Sequence, residues 1–181
     1  SRISRNEMTT VPSVTFRVRV PDDNTESNNW EIMASTWADL TTDEIFNNKK
    51  VIVFSLPGAF TPTCSTFQLP GFELDAQKFY DKGVDAIYCI SVNDAFVMNA
   101  WRDAQNLKNV KVIPDGNGDF TKGMNMDVTF NNRGFGMRSW RYAMIVDNGT
   151  ITQMFIEPGK ATDSDPDPYG ETSPDNVFAS L

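Results

Sequence analysis

The side chain best suited to chemistry in this sequence is the thiol of Cys64. The chain has two cysteines, Cys64 and Cys89, and no histidine. Without imidazole it cannot form a Ser-His-Asp triad, a Cys-His pair or a histidine metal site. Two cysteines also cannot complete a structural zinc site. A cysteine nucleophile in this chain must therefore be activated by other means.

The segment around Cys64 supplies such a means. Residues 51 to 56 form an apolar, β-branched run that predicts a buried central strand, and Pro57 and Pro62 follow it. Pro62 can occupy the first position of a helix, which places Cys64 in the first turn among free backbone N–H groups. Helix N-termini and nearby arginines lower the pKa of a cysteine thiol from about 8.5 to roughly 3.5–7.5. We therefore expect a thiolate at the mouth of the loop, outside the core.

The second cysteine lies in a different setting. Cys89 falls within the apolar run of residues 86 to 90, where a small buried hydrophobic residue is the ordinary interpretation. A role as a resolving partner for Cys64 is the alternative. We interpret Cys89 as structural, and two reduced thiols fit a cytoplasmic protein better than a secreted one.

Four stretches of sequence carry a resemblance to a known family. Pro57, Thr61 and Cys64 match the pattern PxxxTxxC, which is the peroxiredoxin signature. The wider similarity covers roughly residues 14 to 181 and resembles the peroxiredoxin 5 group, also called type II or atypical peroxiredoxins, in its bacterial form that depends on glutathione and glutaredoxin. The stretches are PGAFTPTCS (57–65), LPGF (69–72), SVNDAFV (91–97) and WRYAM (140–144).

This resemblance implies a thioredoxin-like fold and a thiol peroxidase that reduces hydrogen peroxide and organic hydroperoxides in antioxidant defence. It implies that Cys64 is the peroxidatic cysteine and that Thr61 hydrogen-bonds the incoming peroxide. Arg141 would steady both thiolate and peroxide, and Pro57 would shield the site from water. Arg138 is the alternative arginine, but the WRYAM match and the apolar strand that follows favour Arg141.

The sequence departs from the family pattern in two places. Gln68 stands where many relatives have a histidine, so the residue can hydrogen-bond but cannot titrate. No cysteine follows Cys89, whereas some relatives carry a resolving cysteine near the C-terminus. The resemblance therefore implies no bound cofactor and recycling by an external thiol. Glutathione, with or without glutaredoxin, is the expected reductant, and thioredoxin is the weaker alternative.

The elements that must position these residues follow from hydrophobic periodicity. Runs of period 2 or of continuous apolar character predict strands, and period 3.6 predicts helices. Their order predicts an α/β fold with a mixed central sheet and helices on both faces. Asn148 and Gly149 predict a hairpin turn. The predicted strands are 14–20, 30–33, 51–56, 84–92, 110–113, 141–146 and 150–156, and helices are predicted at 42–46, after Cys64, at 94–105, after residue 119 and near 174–181.

Length and charge limit the classes of partner. A chain of 181 residues is expected to form one domain, with residues 1 to 11 as a flexible arm and residues 12 to 181 as the domain. The net charge of -8 argues against nucleic acid, because phosphate binding needs clustered Lys and Arg. The apolar runs are too short to cross a bilayer, and no stretch near Ser1 shows the basic start and apolar block of a signal peptide. We expect a soluble, cytoplasmic protein.

Several weaker signals yield no site. Residues 115 to 119 are similar to a calcium loop, but Phe120 and Met126 occupy the positions that require glycine and glutamate, so we expect a turn before a helix and no metal. The acidic residues 163 to 167 fit a solvated face.

Competing functions remain open. A thiol-disulfide oxidoreductase of the same fold would need a CxxC pair, which this sequence does not contain. A redox sensor that signals through Cys64 oxidation is the alternative to a peroxidase. The resemblance also implies a homodimer, with Phe60 and Phe96 near its contact face.

Overall fold

Strands and helices alternate along most of the chain. The computed structural model describes residues 9–21 and 35–181. The strands are β1 (Thr15–Pro21), β2 (Ser35–Thr41), β3 (Lys50–Ser55), β4 (Ala86–Ser91), β5 (Lys111–Pro114), β6 (Asp127–Phe130), β7 (Gly136–Ser139), β8 (Tyr142–Asp147) and β9 (Thr150–Ile156). The helices are α1 (Thr42–Phe46), α2 (Leu69–Asp81), α3 (Ala95–Ala104), α4 (Asp119–Gly123) and α5 (Pro174–Phe178), with a π-helical turn at Cys64–Gln68 and a 3-10 turn at Asn131–Arg133.

A mixed sheet of five strands forms the centre, in the order β5-β4-β3-β8-β9. β3 runs parallel to β4, and β4 runs parallel to β5. β8 is antiparallel to both β3 and β9. Helix α3 connects β4 to β5, as a parallel pair requires a crossover. The predicted mixed sheet with β3 at its centre is confirmed.

Both faces of this sheet are covered by helices. Alternate residues of a strand point to opposite faces, so Val51 and Val53 pack into one cluster with residues of α1 and α4. Ile52 and Phe54 pack into the other cluster with residues of α2, α3 and α5. The ring of Phe54 stacks on Phe72 of α2 at 4.3 Å between centroids. The predicted placement of helices on both faces is therefore confirmed.

The turn between β8 and β9 has the conformation that its sequence predicts. Asn148 and Gly149 have φ values of 49° and 79°, which a two-residue turn of type I′ requires at both positions. The side chain of Asn148 also accepts a hydrogen bond from the backbone N–H of Asn48 at 2.7 Å. The hairpin fixes the register of β8, and with it the position of Arg141 immediately before that strand.

The strand prediction did not include β2, β6 or β7. The partner of β1 is β2 at Ser35–Thr41, whereas the predicted strand at residues 30 to 33 lies outside the described residues. The β6–β7 pair was not predicted. Each of its strands has four residues, and residues 131 to 135 between them carry asparagine and glycine, so no long run of alternating hydrophobicity marks them.

The start of the described chain is attached to the central sheet. Thr9 O accepts a hydrogen bond from Ile151 N, and Val11 N donates to Gly149 O. Thr10 forms a bridge with Thr150. These contacts hold residues 9 to 11, whereas the sequence predicted a flexible arm up to residue 11; residues 1 to 8 lie outside the described part.

Membrane insertion can be judged from the helices. Among residues 9–21 and 35–181, no helix combines the length and apolar character needed to cross a membrane.

Candidate active site

The loop that follows β3 is held by hydrogen bonds at both ends. The hydroxyl of Thr61 donates to the carbonyl of Gly58 at 2.7 Å, and Ala59 N donates to the side chain of Asn93 at 3.0 Å. Phe60, between them, has a positive φ of 65°, which is uncommon for a residue with a side chain. Pro62 begins the helical backbone, as predicted. The loop thus delivers Cys64 to the first turn of the helix.

Cys64 is buried, in contrast to the prediction of a thiol at the loop mouth. Its relative exposure is 0 %, and it packs with the apolar residues of β3 and α2. The difference arises because Arg141 and the chain after β9 cover the helix start, and no local pattern in residues 57 to 65 reports that cover.

Arg141 is the arginine that contacts Cys64. Its Nη1 lies 3.3 Å from Sγ of Cys64 and also donates to Oε1 of Gln68. Its Nη2 donates to Oδ1 of Asp167 at 2.7 Å. Burial alone would lower the pKa of Arg141, but the negative charges of Cys64 and Asp167 outweigh it and raise that pKa. A permanent cation therefore faces the sulfur.

Arg138 lies nearby but has other partners. Its Nη1 donates to the carbonyl of Pro57 at 3.2 Å, and its Nε donates to the carbonyl of Phe135. Partial burial lowers the pKa of Arg138, and the charge of Cys64 opposes that effect. Arg138 thus supports the loop at Pro57, whereas Arg141 reaches the thiol.

Thr61 and Pro57 lie on the same loop as Cys64. Thr61 is half-buried and Pro57 is buried. The Thr61 hydroxyl uses its single proton in a hydrogen bond to Gly58 O. Its oxygen still has lone pairs that can accept a hydrogen bond. Of the four residues singled out from the sequence, Pro57, Thr61 and Cys64 therefore share the chain segment that follows β3, and Arg141 contacts Cys64.

Sequence reasoning singled out Gln68 but missed Thr172 and Glu157, which continue the hydrogen bonds from it. Gln68 Nε2 donates to the hydroxyl of Thr172 at 3.2 Å, and that hydroxyl donates to Oε2 of Glu157 at 2.7 Å. Gln68, Thr172 and Glu157 are 0 %, 0 % and 2 % exposed. Glu157 and Thr172 lie in the chain after β9, where charged residues next to proline and glycine give no sequence signal of burial.

The acidic run at residues 163 to 167 is largely exposed, as predicted, but Asp167 within it also contacts the site. Its carboxylate pairs with Arg141 Nη2 at 2.7 Å, and its side chain is 31 % exposed. The next aromatic residue, Tyr169, has its ring 6.0 Å from the Arg141 guanidinium carbon and stacks on Phe67. The segment that contains Asp167 and Tyr169 therefore lies against Arg141 and the helical turn of Cys64.

Cys89 lies in the core, as predicted. It is 0 % exposed and pairs with Phe54 across β3 and β4. Burial raises the pKa of Cys89 well above its ordinary value, and the charge of Cys64 raises it further. Both cysteines are free thiols. Cys89 therefore stays protonated at neutral pH.

Comparison with known proteins places this arrangement in a family. The family model described as Redoxin matches residues 9–170. A peroxiredoxin of Rhizobium etli is 54% identical over 171 residues, covering 94% of this chain and 93% of that protein. The hybrid peroxiredoxin hyPrx5 of Haemophilus influenzae is 52% identical over 153 residues, covering 84% of this chain and 58% of that protein.

A solved structure agrees with the sequence matches. The crystal structure of the Plasmodium falciparum antioxidant protein, a 1-Cys peroxiredoxin, superposes with a TM-score of 0.85 at 38% identity, covering 94% of this chain and 96% of that one. The fold is thus the thioredoxin-like fold of that structure, as the sequence predicted. This chain belongs to the peroxiredoxins within the Redoxin family, is of the peroxiredoxin 5 type, and is a thiol-dependent peroxidase.

Proposed function

We propose that Cys64 is the peroxidatic cysteine of a 1-Cys peroxidase and that glutathione, with or without glutaredoxin, returns it to the thiol. One observation carries the proposal: Nη1 of the buried Arg141 lies 3.3 Å from Cys64 Sγ. A charged hydrogen bond to the sulfur favours the thiolate, which is the nucleophilic form.

The proposed step is a two-electron transfer. The Cys64 thiolate attacks the terminal oxygen of a hydroperoxide, so that an S–O bond forms while the O–O bond breaks. The departing oxygen leaves with the bonding electron pair and takes a proton from water, giving water or an alcohol. The sulfur is oxidised to sulfenic acid, and the peroxide is reduced.

The other loop residues have roles that fit this step. Negative charge grows on the departing oxygen, and the fixed guanidinium of Arg141 can stabilise it without reorganisation. The Thr61 hydroxyl donates a hydrogen bond to Gly58 O. Its oxygen can therefore accept a hydrogen bond from the O–H of the incoming peroxide. Pro57 is buried and donates no N–H, and we assign it the exclusion of water from the sulfur.

Recycling by an external thiol follows from the state of Cys89. The chain has no cysteine besides Cys64 and Cys89, and Cys89 is buried in β4 with a raised pKa. A glutathione thiolate attacks the sulfenic sulfur, so that an S–S bond forms while the S–O bond breaks, and the departing hydroxide takes a proton from solvent to give water. A second glutathione, or glutaredoxin, then restores the Cys64 thiol. The structural relative from Plasmodium falciparum is itself named as a 1-Cys peroxiredoxin.

We further propose a cytoplasmic homodimer. Two free buried thiols fit a reducing compartment. The side chains of Phe60, Trp37 and Phe96 are 54%, 47% and 41% exposed, and Trp37 and Phe96 pack edge to face at 5.5 Å. Clustered exposed aromatic residues beside an active-site loop suit contact with a second copy.

The function is tested by peroxide consumption with separate reductants. Turnover is measured with glutathione, with glutathione plus glutaredoxin, and with thioredoxin, each for wild type, Cys64→Ser and Cys89→Ser. We expect turnover with the glutathione systems, loss of turnover in Cys64→Ser and little change in Cys89→Ser. Turnover only with thioredoxin would overturn the reductant, and equal loss in both variants would overturn the 1-Cys cycle. Oxidation of Cys64 without turnover would favour a redox sensor.

A further inference from the structure

We propose that Thr172 and Glu157 are positioning residues of the peroxidase site, which act on Arg141 through the amide of Gln68. This proposal rests on the proposed function of Cys64. A line of hydrogen bonds runs from Arg141 to Gln68, from Gln68 to Thr172, and from Thr172 to Glu157. Every donor points toward Glu157, so a cation stands at one end of the line and a carboxyl group at the other.

Glu157 is the fixed end of this line. It directly follows β9, and its backbone N–H donates to the carbonyl of Arg141 at 3.2 Å. Its Oε2 accepts from Thr172 N at 2.9 Å and Gly170 N at 3.1 Å, and its Oε1 accepts from Glu171 N at 3.0 Å. These backbone donors hold the carboxyl oxygens in place, so Glu157 offers Thr172 only an acceptor.

The hydroxyl of Thr172 orients the amide of Gln68. A threonine hydroxyl has one proton, and Thr172 uses it to donate a hydrogen bond to Glu157 Oε2 at 2.7 Å. Its oxygen is then left to accept, and it accepts from Gln68 Nε2 at 3.2 Å. The NH₂ of the Gln68 amide must therefore face Thr172, which leaves the amide oxygen facing Arg141.

The reversed orientation of the Gln68 amide would break both contacts. Its NH₂ would face the guanidinium of Arg141, which has donors only, and its oxygen would face a hydroxyl oxygen whose proton is engaged. Gln68, Thr172 and Arg141 are each at most 1 % exposed, so water cannot substitute for the lost partners. Thr172 and Glu157 thus select one of two amide orientations.

The selected orientation decides where the arginine rests. Arg141 Nη1 contacts both Gln68 Oε1 and Cys64 Sγ, whereas Nη2 contacts Asp167, whose side chain is 31 % exposed. Without the acceptor on Gln68, the remaining side-chain anchor pulls the guanidinium toward Asp167 and away from the sulfur. The line from Glu157 therefore holds the cation against the thiolate.

The test removes the Thr172 hydroxyl and leaves the Glu157 backbone contacts in place. In Thr172→Val, we expect the rate of Cys64 oxidation by hydrogen peroxide to fall about tenfold, as for the loss of one buried hydrogen bond. Thr172→Ser keeps the hydroxyl and should retain the wild-type rate. Thr172→Ala, which avoids the bulk of valine, should show the same loss and serves if the valine variant does not fold.

A double-mutant cycle shows whether Thr172 acts through Gln68. In a Gln68→Met background, Thr172→Val should cause no further loss. Independent, multiplying losses would overturn the proposal, as would a wild-type rate in Thr172→Val and Thr172→Ala, or an equal loss in Thr172→Ser. These outcomes all presuppose that wild-type Cys64 reacts with peroxide; no reaction in wild type would instead refute the proposed function.

Discussion

Arg141 Nη2 lies 2.7 Å from Asp167 Oδ1, so the cation that contacts the Cys64 sulfur also has a carboxylate counter-ion. The sulfur contacts Nη1 of the guanidinium, and the carboxylate contacts Nη2. Arg141 is 1 % exposed, whereas Asp167 reaches solvent with 31 % of its side chain. Asp167 therefore balances the buried charge at some cost to the electrostatic stabilisation of the thiolate.

Removing this counter-ion should speed the reaction of Cys64 with peroxide. Asp167→Asn deletes a negative charge beside Arg141, and the amide keeps an acceptor for Nη2, so the guanidinium should stabilise the charge of the reacting atoms more strongly and the rate of Cys64 oxidation should rise. Stopped-flow measurement of that rate with hydrogen peroxide is the test. Asp165→Asn, which removes the same charge two residues away, is the control. A rate that is unchanged or lower in Asp167→Asn would show that Asp167 does not compete for Arg141.

Arg141 and Arg138 should differ strongly in their effect on the reaction. Arg141→Met removes the cation at 3.3 Å from Cys64, and we expect the peroxide rate to fall by about 100-fold or more. Arg138→Met should have a much smaller effect, because the guanidinium of Arg138 donates to the backbone of Pro57 and Phe135. Stopped-flow rates of Cys64 oxidation compare the two variants, and a larger loss in Arg138→Met would mean that the wrong arginine was assigned.

A histidine at position 68 should add an ionisation to the rate profile. The chain has no histidine, so no imidazole titrates in the wild-type site. In Gln68→His, a neutral imidazole can accept from Arg141, but burial and the Arg141 charge should lower its pKa below the ordinary value of about 6.5. As the pH falls through that value, the imidazole becomes protonated, can no longer accept a hydrogen bond from Arg141 and repels it. The rate of Cys64 oxidation should therefore fall more steeply in acid than it does in wild type.

The matched control for this change is Gln77→His, on the exposed surface of α2. Its rate profile should superimpose on that of wild type. A Gln68→His profile that also superimposes would show that position 68 does not influence the reacting charge.

Glu73 should make a pH-dependent contribution to stability. Its carboxylate accepts from the backbone N–H groups of Lys108, Asn109 and Val110. Partial burial would raise the pKa of Glu73, but these hydrogen bonds together outweigh it and lower that pKa below its ordinary 4.5. The stabilisation is therefore complete above pH 4.5 and is lost as the pH falls through the lowered folded value.

Glu73→Gln should accordingly lower the free energy of unfolding at neutral pH by about 1–2 kcal/mol, with the small value reflecting solvent exposure. Urea unfolding at several pH values is the measurement, and the difference from wild type should shrink in acid. Asp75→Asn removes a charge from the same helix and should not show this pattern. A difference that is constant with pH would refute the assigned role.

The elements that carry the site were predictable because their signals are local. β3 is a continuous apolar run, α3 has a 3.6-residue period, and the β8–β9 turn contains Asn148-Gly149. Pro62 marks the start of the helix that carries Cys64. These patterns, together with the PxxxTxxC match, were sufficient to identify Cys64, Thr61 and Pro57 as neighbours on one loop.

The buried contacts of Arg141 were not predictable, because they join distant segments. Arg141 and Gln68 are 73 residues apart, and Gln68 and Thr172 are 104 apart. Charged residues next to proline and glycine are typical of solvated loops, so residues 157 to 172 gave no sign that Glu157 and Thr172 are buried. Only the fold of that segment over the helix start brings them to the site and covers Cys64.

The central claim, that Cys64 reacts with peroxide and Cys89 does not, is tested most directly by locating the oxidised sulfur. Wild-type protein receives one equivalent of hydrogen peroxide in the presence of a dimedone-type reagent that traps sulfenic acids, and peptide mass spectrometry finds the adduct. We predict a single adduct on Cys64, with Cys89 remaining a free thiol. An adduct on Cys89, or a Cys64–Cys89 disulfide in place of any adduct, would contradict the account.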